Sequence, residues 1–433
     1  MKKIFNKINF LSLLIVVSFF IGFFFNENSA GAGGYKGDIT WLLGNIDIFK
    51  NNSLYDSIFH PDLFGNRTPI IYVINKLFNP YFYDYEKYRI VVFLISLSGS
   101  FFFYLCLKIK NKNTNTNLLI LISTIILLSP FYRTSGFWGL NENYGLVTAI
   151  ISLTTLNYFL EKIKINSENN FFYYLTIFFS SLCVYFDQKL VIIPLICFFS
   201  IWFSNIGIKY RILSVIIYFL LSVPFLILIF KWGGLVPPLT QLQNPKTITS
   251  LSRLGNLYFY NLGYAFTLMA FYLFPLIFFK KVNVINLIKQ QNYSILLVPL
   301  IYIFFIFLIL DFKIWTVDEY WVGLGYIHKA SLILFDSIKY QEIFTYFSFL
   351  ASWLVVALYL DRKSKDYLVI IFFLILSLII WPLMQEYFDP IILILFFLMP
   401  KINLEIKSSN SIFLVFYLTL FLIIANIYYF YKI

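Results

Sequence analysis

Long apolar runs with almost no charged residues follow one another along nearly the whole chain. A helix needs about 20 apolar residues to cross the hydrocarbon core of a bilayer. The runs are continuous rather than alternating, and a lipid-exposed backbone must satisfy its own hydrogen bonds, so each run is predicted to be an α-helix. The candidate spans are 8–25, 90–107, 118–131, 144–160, 171–186, 190–206, 212–230, 257–279, 294–312, 343–360, 368–384, 391–400 and 411–431.

The low charge content excludes most soluble classes. Only 12% of the residues are charged and 60% are hydrophobic, whereas a soluble domain carries about 25% charged residues. A soluble enzyme, a nucleic-acid-binding protein and a disordered protein are therefore excluded. We predict an all-α polytopic membrane protein of about 11–13 transmembrane helices. It forms a single integral-membrane domain over residues 1–433, with the lipid bilayer as its partner and no nucleic acid.

The distribution of charge predicts the orientation. With the N-terminus inside, the inner segments hold 18 Lys and Arg against five Asp and Glu, while the outer segments are close to neutral. This asymmetry follows the positive-inside rule. The long outer segments 26–89, 231–256 and 313–342 mix acids, amides, aromatics, Gly and Pro, so we expect the chemistry on the outer face. The short, lysine-rich inner loops favour a bacterial inner membrane with the active face towards the periplasm.

The first outer loop, 26–89, is the candidate catalytic loop and is expected to contain amphipathic helices. Asp38 follows the Gly-rich stretch 31–37 and precedes the apolar run 39–49. It is either the N-cap of a helix over that run or a catalytic base near the membrane surface. Arg67 precedes a Pro-led apolar run and is either a phosphate ligand or a surface charge.

The same loop contains a possible cation-binding group of Asp56, His60 and Asp62. Three such ligands on a loop are compatible with a divalent metal. Pro61 interrupts any helix there, so the spacing does not place the three side chains on one helical face. Ordinary surface polarity or a loop that contacts the acceptor is the better interpretation, and we predict no metal site.

Three shorter outer turns, at 129–144, 185–190 and 381–390, also carry polar groups close to the membrane. Such groups at headgroup depth are costly and usually functional. The simpler alternatives are an interfacial aromatic belt for the turn 129–144 and a snorkelling lysine for the turn 185–190. The candidate donor-binding residues in these turns are Arg133, Glu142, Asn143, Gln188, Lys189 and Glu386.

Together these segments resemble the GT-C class of integral-membrane glycosyltransferases. Within the class the chain is most similar to the dolichyl-phosphate-glucose α-1,2-glucosyltransferase family and its bacterial relatives. Two positions depart from that pattern. The turn 185–190 has Asp187 where the family has Arg, and Glu386 runs directly into Tyr387 where the family has an Arg before the Tyr. The resemblance rests on Gly37-Asp38, on 129–135 with 142–144, and on 187–189, 233–237 and 382–390.

The resemblance implies a polyprenyl-phosphate-linked sugar as donor and an outward-facing glycan or lipid as acceptor. Asp38 would accept the proton of the acceptor hydroxyl, and the anomeric configuration would be inverted. Arg133 and Lys189, with Arg67 as a third candidate, would neutralise the departing phosphate. No cofactor is expected, and the sequence contains neither Gly-x-Gly-x-x-Gly nor a Walker lysine.

Two other classes of membrane protein remain alternatives. An O-antigen polymerase or ligase typically has a late outer loop with several arginines. Segment 313–342 has no arginine, and its lysines are Lys313, Lys329 and Lys339. A transporter or lipid flippase would show internal repeats and charges at mid-membrane. A structural or assembly role without chemistry is the third alternative.

Overall fold

The computed structural model describes residues 2–30, 37–164, 170–243, 257–259, 261–280, 293–308, 325–360, 365–380 and 383–432. Within these ranges the chain is helical and contains no strand. Nineteen α-helices are described. They are α1 Lys2–Phe24, α2 Asp38–Asn51, α3 Leu54–Ile58, α4 Ile70–Phe78, α5 Tyr85–Lys110, α6 Thr116–Thr124, α7 Pro130–Trp138, α8 Glu142–Lys164, α9 Asn170–Phe186, α10 Ile192–Trp202, α11 Ile208–Trp232, α12 Pro238–Gln243, α13 Asn261–Leu276, α14 Tyr293–Leu308, α15 Gly325–Leu334, α16 Ile338–Ala357, α17 Asp366–Ile379, α18 Ile391–Leu398 and α19 Ser408–Lys432.

The all-α class and the membrane location follow from the apolar helices. Among the described residues, six helices are long and apolar enough to cross a bilayer, or up to seven if one bent pair forms a single span. Shorter apolar helices lie at Phe171–Phe186, Gln188–Trp202, Leu297–Ile306 and Asp366–Ile379. Residues 313–324 of the outer segment 313–342 lie outside the described residues, and so do residues 309–312 of the predicted span 294–312.

The predicted spans 171–186, 190–206, 294–312 and 368–384 correspond to these shorter helices, and two other predicted spans differ further from the helices observed. The run 391–400 forms only α18, whose eight residues extend about 12 Å and cannot cross a core of about 30 Å. Every residue of α18 is buried by protein, which explains its high apolar content. The run 118–131 forms α6 and a 3₁₀ turn and then bends by 69° into α7. Segment 130–138 is therefore a helix, although the sequence predicted a connecting turn.

Local signals explain why α7 forms. Ser129 accepts a hydrogen bond from the backbone N–H of Tyr132, and Pro130 occupies the first turn, where its missing N–H has no cost. Gly139 ends the helix in the left-handed conformation at φ 75°. The helix packs back against α1 and α5, so it is buried between spanning helices.

The centre of the bundle is α8, which packs along α5 and α9. A second group of helices forms around α13, which contacts α16 and α17. Acidic residues mark the two ends of α8, because Glu142 begins it and Glu161 lies near its end. Glu142 pairs with Arg67, and Glu161 pairs with Lys112. At 1.5 Å per residue these two acids lie about 28 Å apart, close to the thickness of a bilayer core.

Labelling of introduced cysteines tests which end faces out. Asp62 and Lys112 are exposed at opposite ends of the bundle, with 75% and 63% of their side-chain surfaces accessible. In intact cells a membrane-impermeant maleimide is expected to label Asp62→Cys and to label Lys112→Cys only after permeabilisation. The unmodified chain is the control, since Cys106, Cys183 and Cys197 are all buried. The reverse pattern of labelling would contradict the orientation predicted from charge.

Candidate functional site

Arg67 connects the first outer loop to the helical bundle. Its Nη2 atom lies 2.6 Å from Glu142 Oε1 at the start of α8, and its Nε atom lies 3.7 Å from Asp187 Oδ2. Lys189 Nζ lies 3.2 Å from the same Asp187 oxygen and 4.7 Å from the centre of the Tyr387 ring. Four charged residues from three segments therefore form one continuous chain of ion pairs.

The turn after α9 holds two members of this chain in place. Asp187 accepts a hydrogen bond from the backbone N–H of Lys189, which fixes the short 3₁₀ turn Gln188–Val191. Gly145 allows α8 to approach this turn closely. A Cβ atom there would lie 2.8 Å from Leu190 Cδ1 and 3.3 Å from Asp187 Cβ, so a larger residue would displace the turn. The geometry of the ion pairs thus depends on helix packing as well as on charge.

Asp38 is the first residue of α2 and does not cap it. Gly37 occupies the N-cap position and makes no side-chain capping bond. Within the described part of the chain, the Asp38 carboxyl forms no ion pair or hydrogen bond. The same holds for Glu386, which lies in the 3₁₀ turn Gln385–Tyr387. The N-cap role considered from the sequence is therefore wrong, and both carboxyls are available to a ligand.

The protonation of these two carboxyls follows from their surroundings. Asp38 is an exposed residue, and its side chain lines a cavity. Desolvation by the protein atoms around the carboxyl, followed by the charges of Glu142 and Glu386, raises the pKa of Asp38 to about 8, while Arg67 and Lys189 oppose the shift. Burial also raises the pKa of Glu386, and Lys189 opposes it. Both groups thus hold a proton more tightly than ordinary carboxyls.

Two open cavities meet at Asp38. Cavity A, whose empty space of about 600 Å³ includes the open solvent at its mouth, is lined by the charged residues Asp38, Glu142, Asp187, Lys189 and Glu386. Its lining also includes the apolar residues Phe131, Leu140, Leu146, Leu190 and Ile391. Cavity B, with about 620 Å³ measured in the same way, includes Trp41, Asn66, Arg67, Tyr72 and Asn141. Asp38, Leu140 and Glu142 line both cavities, so Asp38 lies on the wall between them.

Arg133 does not join this cluster. It forms a two-pronged ion pair with Glu27, in which the Nε–Oε1 distance is 2.8 Å, and it also donates to the carbonyls of Ser18 and Leu127. Only 3% of the Arg133 side chain and 13% of the Glu27 side chain are exposed. The guanidinium is thus occupied by protein acceptors and connects α7 to the end of α1, which gives it a structural role in this conformation.

Two other predicted ligands also bind protein groups. The Asn143 amide donates to Ser96 Oγ and to the carbonyl of Tyr132, both at 2.8 Å, and its side chain is buried. Gln188 donates to the carbonyl of Leu235 at 2.8 Å and so fixes the segment after α11. Asn143 and Gln188 support the walls of the site from behind. Of the candidate residues predicted from the sequence, five line the cavities, namely Asp38, Arg67, Glu142, Lys189 and Glu386.

The acids and the histidine of the metal interpretation lie apart from this site. Asp56 accepts a hydrogen bond from Ser53 at 2.6 Å, and His60 Nδ1 accepts one from the backbone N–H of Asp62 at 3.2 Å. In the described ranges, no group of three or more His, Cys, Asp or Glu residues has a geometry suited to a metal ion.

Asp187 and Asp389 are site residues that the sequence reasoning did not select. Asp187 belongs to the turn 187–189 on which the resemblance rests and departs from the family pattern there, and its place between two spans is a signal of function. Asp389 lines cavity A and accepts a hydrogen bond from Ser129 at 2.7 Å. That contact joins residues 260 positions apart, so no local pattern indicated it.

The comparisons with known proteins add no functional assignment. No family model matches the chain, and no curated protein or solved structure is significantly similar to it. The functional conclusion therefore depends on the chemistry of the residues around cavities A and B.

Removal of Glu27 tests the structural role of Arg133. Breaking a buried ion pair leaves an unpaired charge and costs about 3 kcal/mol or more. Glu27→Ala is expected to lower the thermal unfolding midpoint of the purified protein clearly. The exposed acid Glu86 is the matched control, and Glu86→Ala should change the stability by no more than about 0.5 kcal/mol. An unchanged midpoint for Glu27→Ala would contradict the structural role.

Proposed function

We propose that the protein is a membrane glycosyltransferase of the GT-C type, with about 11–13 spans. It transfers a sugar from a polyprenyl-phosphate donor to an outward-facing acceptor in envelope glycan or glycolipid synthesis, on the periplasmic face of a bacterial inner membrane. One observation carries the proposal. An unpaired carboxyl, Asp38, lies between two cavities, and one of these cavities is lined by the cation Lys189 together with several apolar side chains.

Cavity A suits a lipid-linked phosphate. A polyprenyl phosphate sugar has a phosphodiester monoanion between an apolar chain and a polar ring. Lys189 offers a cation within the cavity, and Arg67 lies next to it in the ion-pair chain. The apolar side chains on the remaining wall suit the first isoprene units. Glu386 faces the same space and is placed to accept hydrogen bonds from sugar hydroxyls.

Asp38 is positioned for proton transfer. In the proposed step, the acceptor oxygen attacks the anomeric carbon and its proton passes to the Asp38 carboxylate. The bond between the anomeric carbon and the phosphate oxygen breaks, and its electron pair stays with the phosphate. The released polyprenyl phosphate has gained one negative charge, which Lys189 and Arg67 are placed to stabilise. Attack from the face opposite the phosphate inverts the anomeric configuration.

The raised pKa of Asp38 also allows the donor to bind. The five acids that line cavity A outnumber the two cations near it, so full ionisation would repel a phosphate anion; these acids are Asp38, Glu142, Asp187, Glu386 and Asp389. A protonated Asp38 removes one of these negative charges while the donor enters. Loss of that proton then produces the base that the transfer step needs.

Substitution of Asp38 tests the proposed base. A panel of radiolabelled polyprenyl-phosphate sugars is supplied to the purified protein in membranes with cell-envelope acceptors. We expect wild type to transfer at least one sugar and Asp38→Asn to be slower by about 100- to 10,000-fold. The exposed acid Asp47 provides the matched control on the same helix, and Asp47→Asn should retain full transfer.

Two results would contradict this function. Equal transfer by wild type and Asp38→Asn would exclude Asp38 as the base. Flux of a lipid-linked sugar across vesicles, without transfer from any donor, would indicate a transporter instead. Insertion and donor binding of Asp38→Asn are measured alongside, so that a folding defect is not mistaken for loss of catalysis.

The pH dependence provides a second prediction. The base form of Asp38 exists above its pKa of about 8 in the empty site, and a bound phosphate anion can only raise that pKa further. The turnover number at saturating donor is therefore expected to rise as the pH increases from 6 to about 8 and beyond. A pH series with wild type checks this. A turnover number that is flat or falls over this interval would contradict the assignment.

A further inference from the structure

We propose that cavity B is a carbohydrate-binding subsite and that the acceptor is therefore a glycan rather than a simple lipid alcohol. This inference rests on the proposed glycosyl transfer for its meaning as an acceptor site. The binding itself is a property of cavity B that is measurable without any transfer.

The wall of cavity B carries a rigid aromatic surface. The rings of Trp41 and Phe64 are stacked, with their centroids 3.7 Å apart and their planes inclined by 26°. Trp41 lines the cavity and is 39% exposed, so part of its ring is accessible to a ligand. One face of a pyranose ring presents C–H groups with a small positive charge, which match the electron-rich face of an indole.

Hydrogen bonds hold this aromatic surface in place before any ligand binds. Asn45 contacts the backbone of Phe64 in both directions, since its amide N–H donates to the carbonyl and its Oδ1 accepts from the N–H at 3.2 Å. Thr240 does the same for the next residue, accepting from Gly65 N at 2.9 Å and donating to Gly65 O at 3.2 Å. A pre-organised surface loses little conformational entropy when a ligand stacks on it.

Polar groups around the ring match the hydroxyls of a sugar. Asn66 and Asn141 line cavity B, and each side-chain amide offers both a donor and an acceptor. Asn66 is exposed, and in the described part of the chain its side chain makes no hydrogen bond. A sugar hydroxyl both donates and accepts, so it is a better partner for these amides than a hydrocarbon chain.

The position of Trp41 explains how a bound ring would reach the proposed base. Trp41 follows Asp38 by three residues on α2, so the two side chains are neighbours on one face of the helix, with Cβ atoms about 5–6 Å apart. Asp38 and Glu142 also line cavity A. A ring stacked on Trp41 would therefore lie next to Asp38, on the wall where the two cavities meet.

Glycan binding to the purified full-length protein in lipid nanodiscs tests the subsite. An array of defined oligosaccharides is the probe, with no donor present. We expect wild type to bind at least one class of glycan, Trp41→Ala to bind it about tenfold more weakly, and Trp41→Phe to retain most of the binding. Asn66→Ala is a second variant, at an exposed position where folding is tolerant, and should weaken binding several-fold.

The controls separate this inference from the proposed function. Tyr55, in the same outer loop, is 65% exposed but lines neither cavity, so Tyr55→Ala should bind like wild type. Asp47→Asn, at an exposed position of α2 that lines neither cavity, should also bind glycan like wild type. Absence of glycan binding by wild type, or equal binding by wild type, Trp41→Ala and Asn66→Ala, would overturn the subsite. Transfer to a lipid acceptor would then still support the proposed function.

Discussion

Arg67 links the first outer loop to the membrane bundle, and the site depends on this link. Its guanidinium pairs with Glu142 on one helix and approaches Asp187 in the turn between two others. Burial by itself lowers the pKa of Arg67, but the surrounding acids outweigh that effect and raise it, so the cation is permanent. Without this charge, Glu142 and Asp187 would repel each other at the point where α8 meets the turn after α9. The position of Lys189 beside Asp187 thus belongs to one ionic network.

The same network leaves two carboxyls without a partner. Arg67 and Lys189 are already engaged with Glu142 and Asp187, so Asp38 and Glu386 face the cavity unpaired. An unpaired, partly desolvated carboxyl costs free energy in the empty protein and is typical of functional sites. In the proposed reaction this cost has a use, since a proton can be held while the anionic donor enters and released when a base is needed.

Part of this arrangement was predictable from the sequence. The apolar runs predicted the helical class, and the polar residues between them include Asp38, Lys189 and Glu386, which line one cavity in the structure. The role of Arg133 was not predictable, because its partner Glu27 precedes it by 106 residues and resembled an ordinary loop acid. The failure of 391–400 as a span has a similar cause, since burial by protein and burial by lipid select the same apolar side chains. Likewise, the aromatic surface of Trp41 depends on Asn45 and Thr240, whose contacts are not local.

A structure with a bound donor analogue tests the central claim most directly. The protein would be reconstituted in nanodiscs and imaged by cryo-electron microscopy with a non-transferable polyprenyl phosphonate sugar. The account predicts that the phosphonate oxygens lie within hydrogen-bonding distance of Lys189, with the anomeric carbon facing Asp38 and the isoprenoid chain along the apolar wall of cavity A. An analogue bound at another place, with cavity A empty, would contradict it.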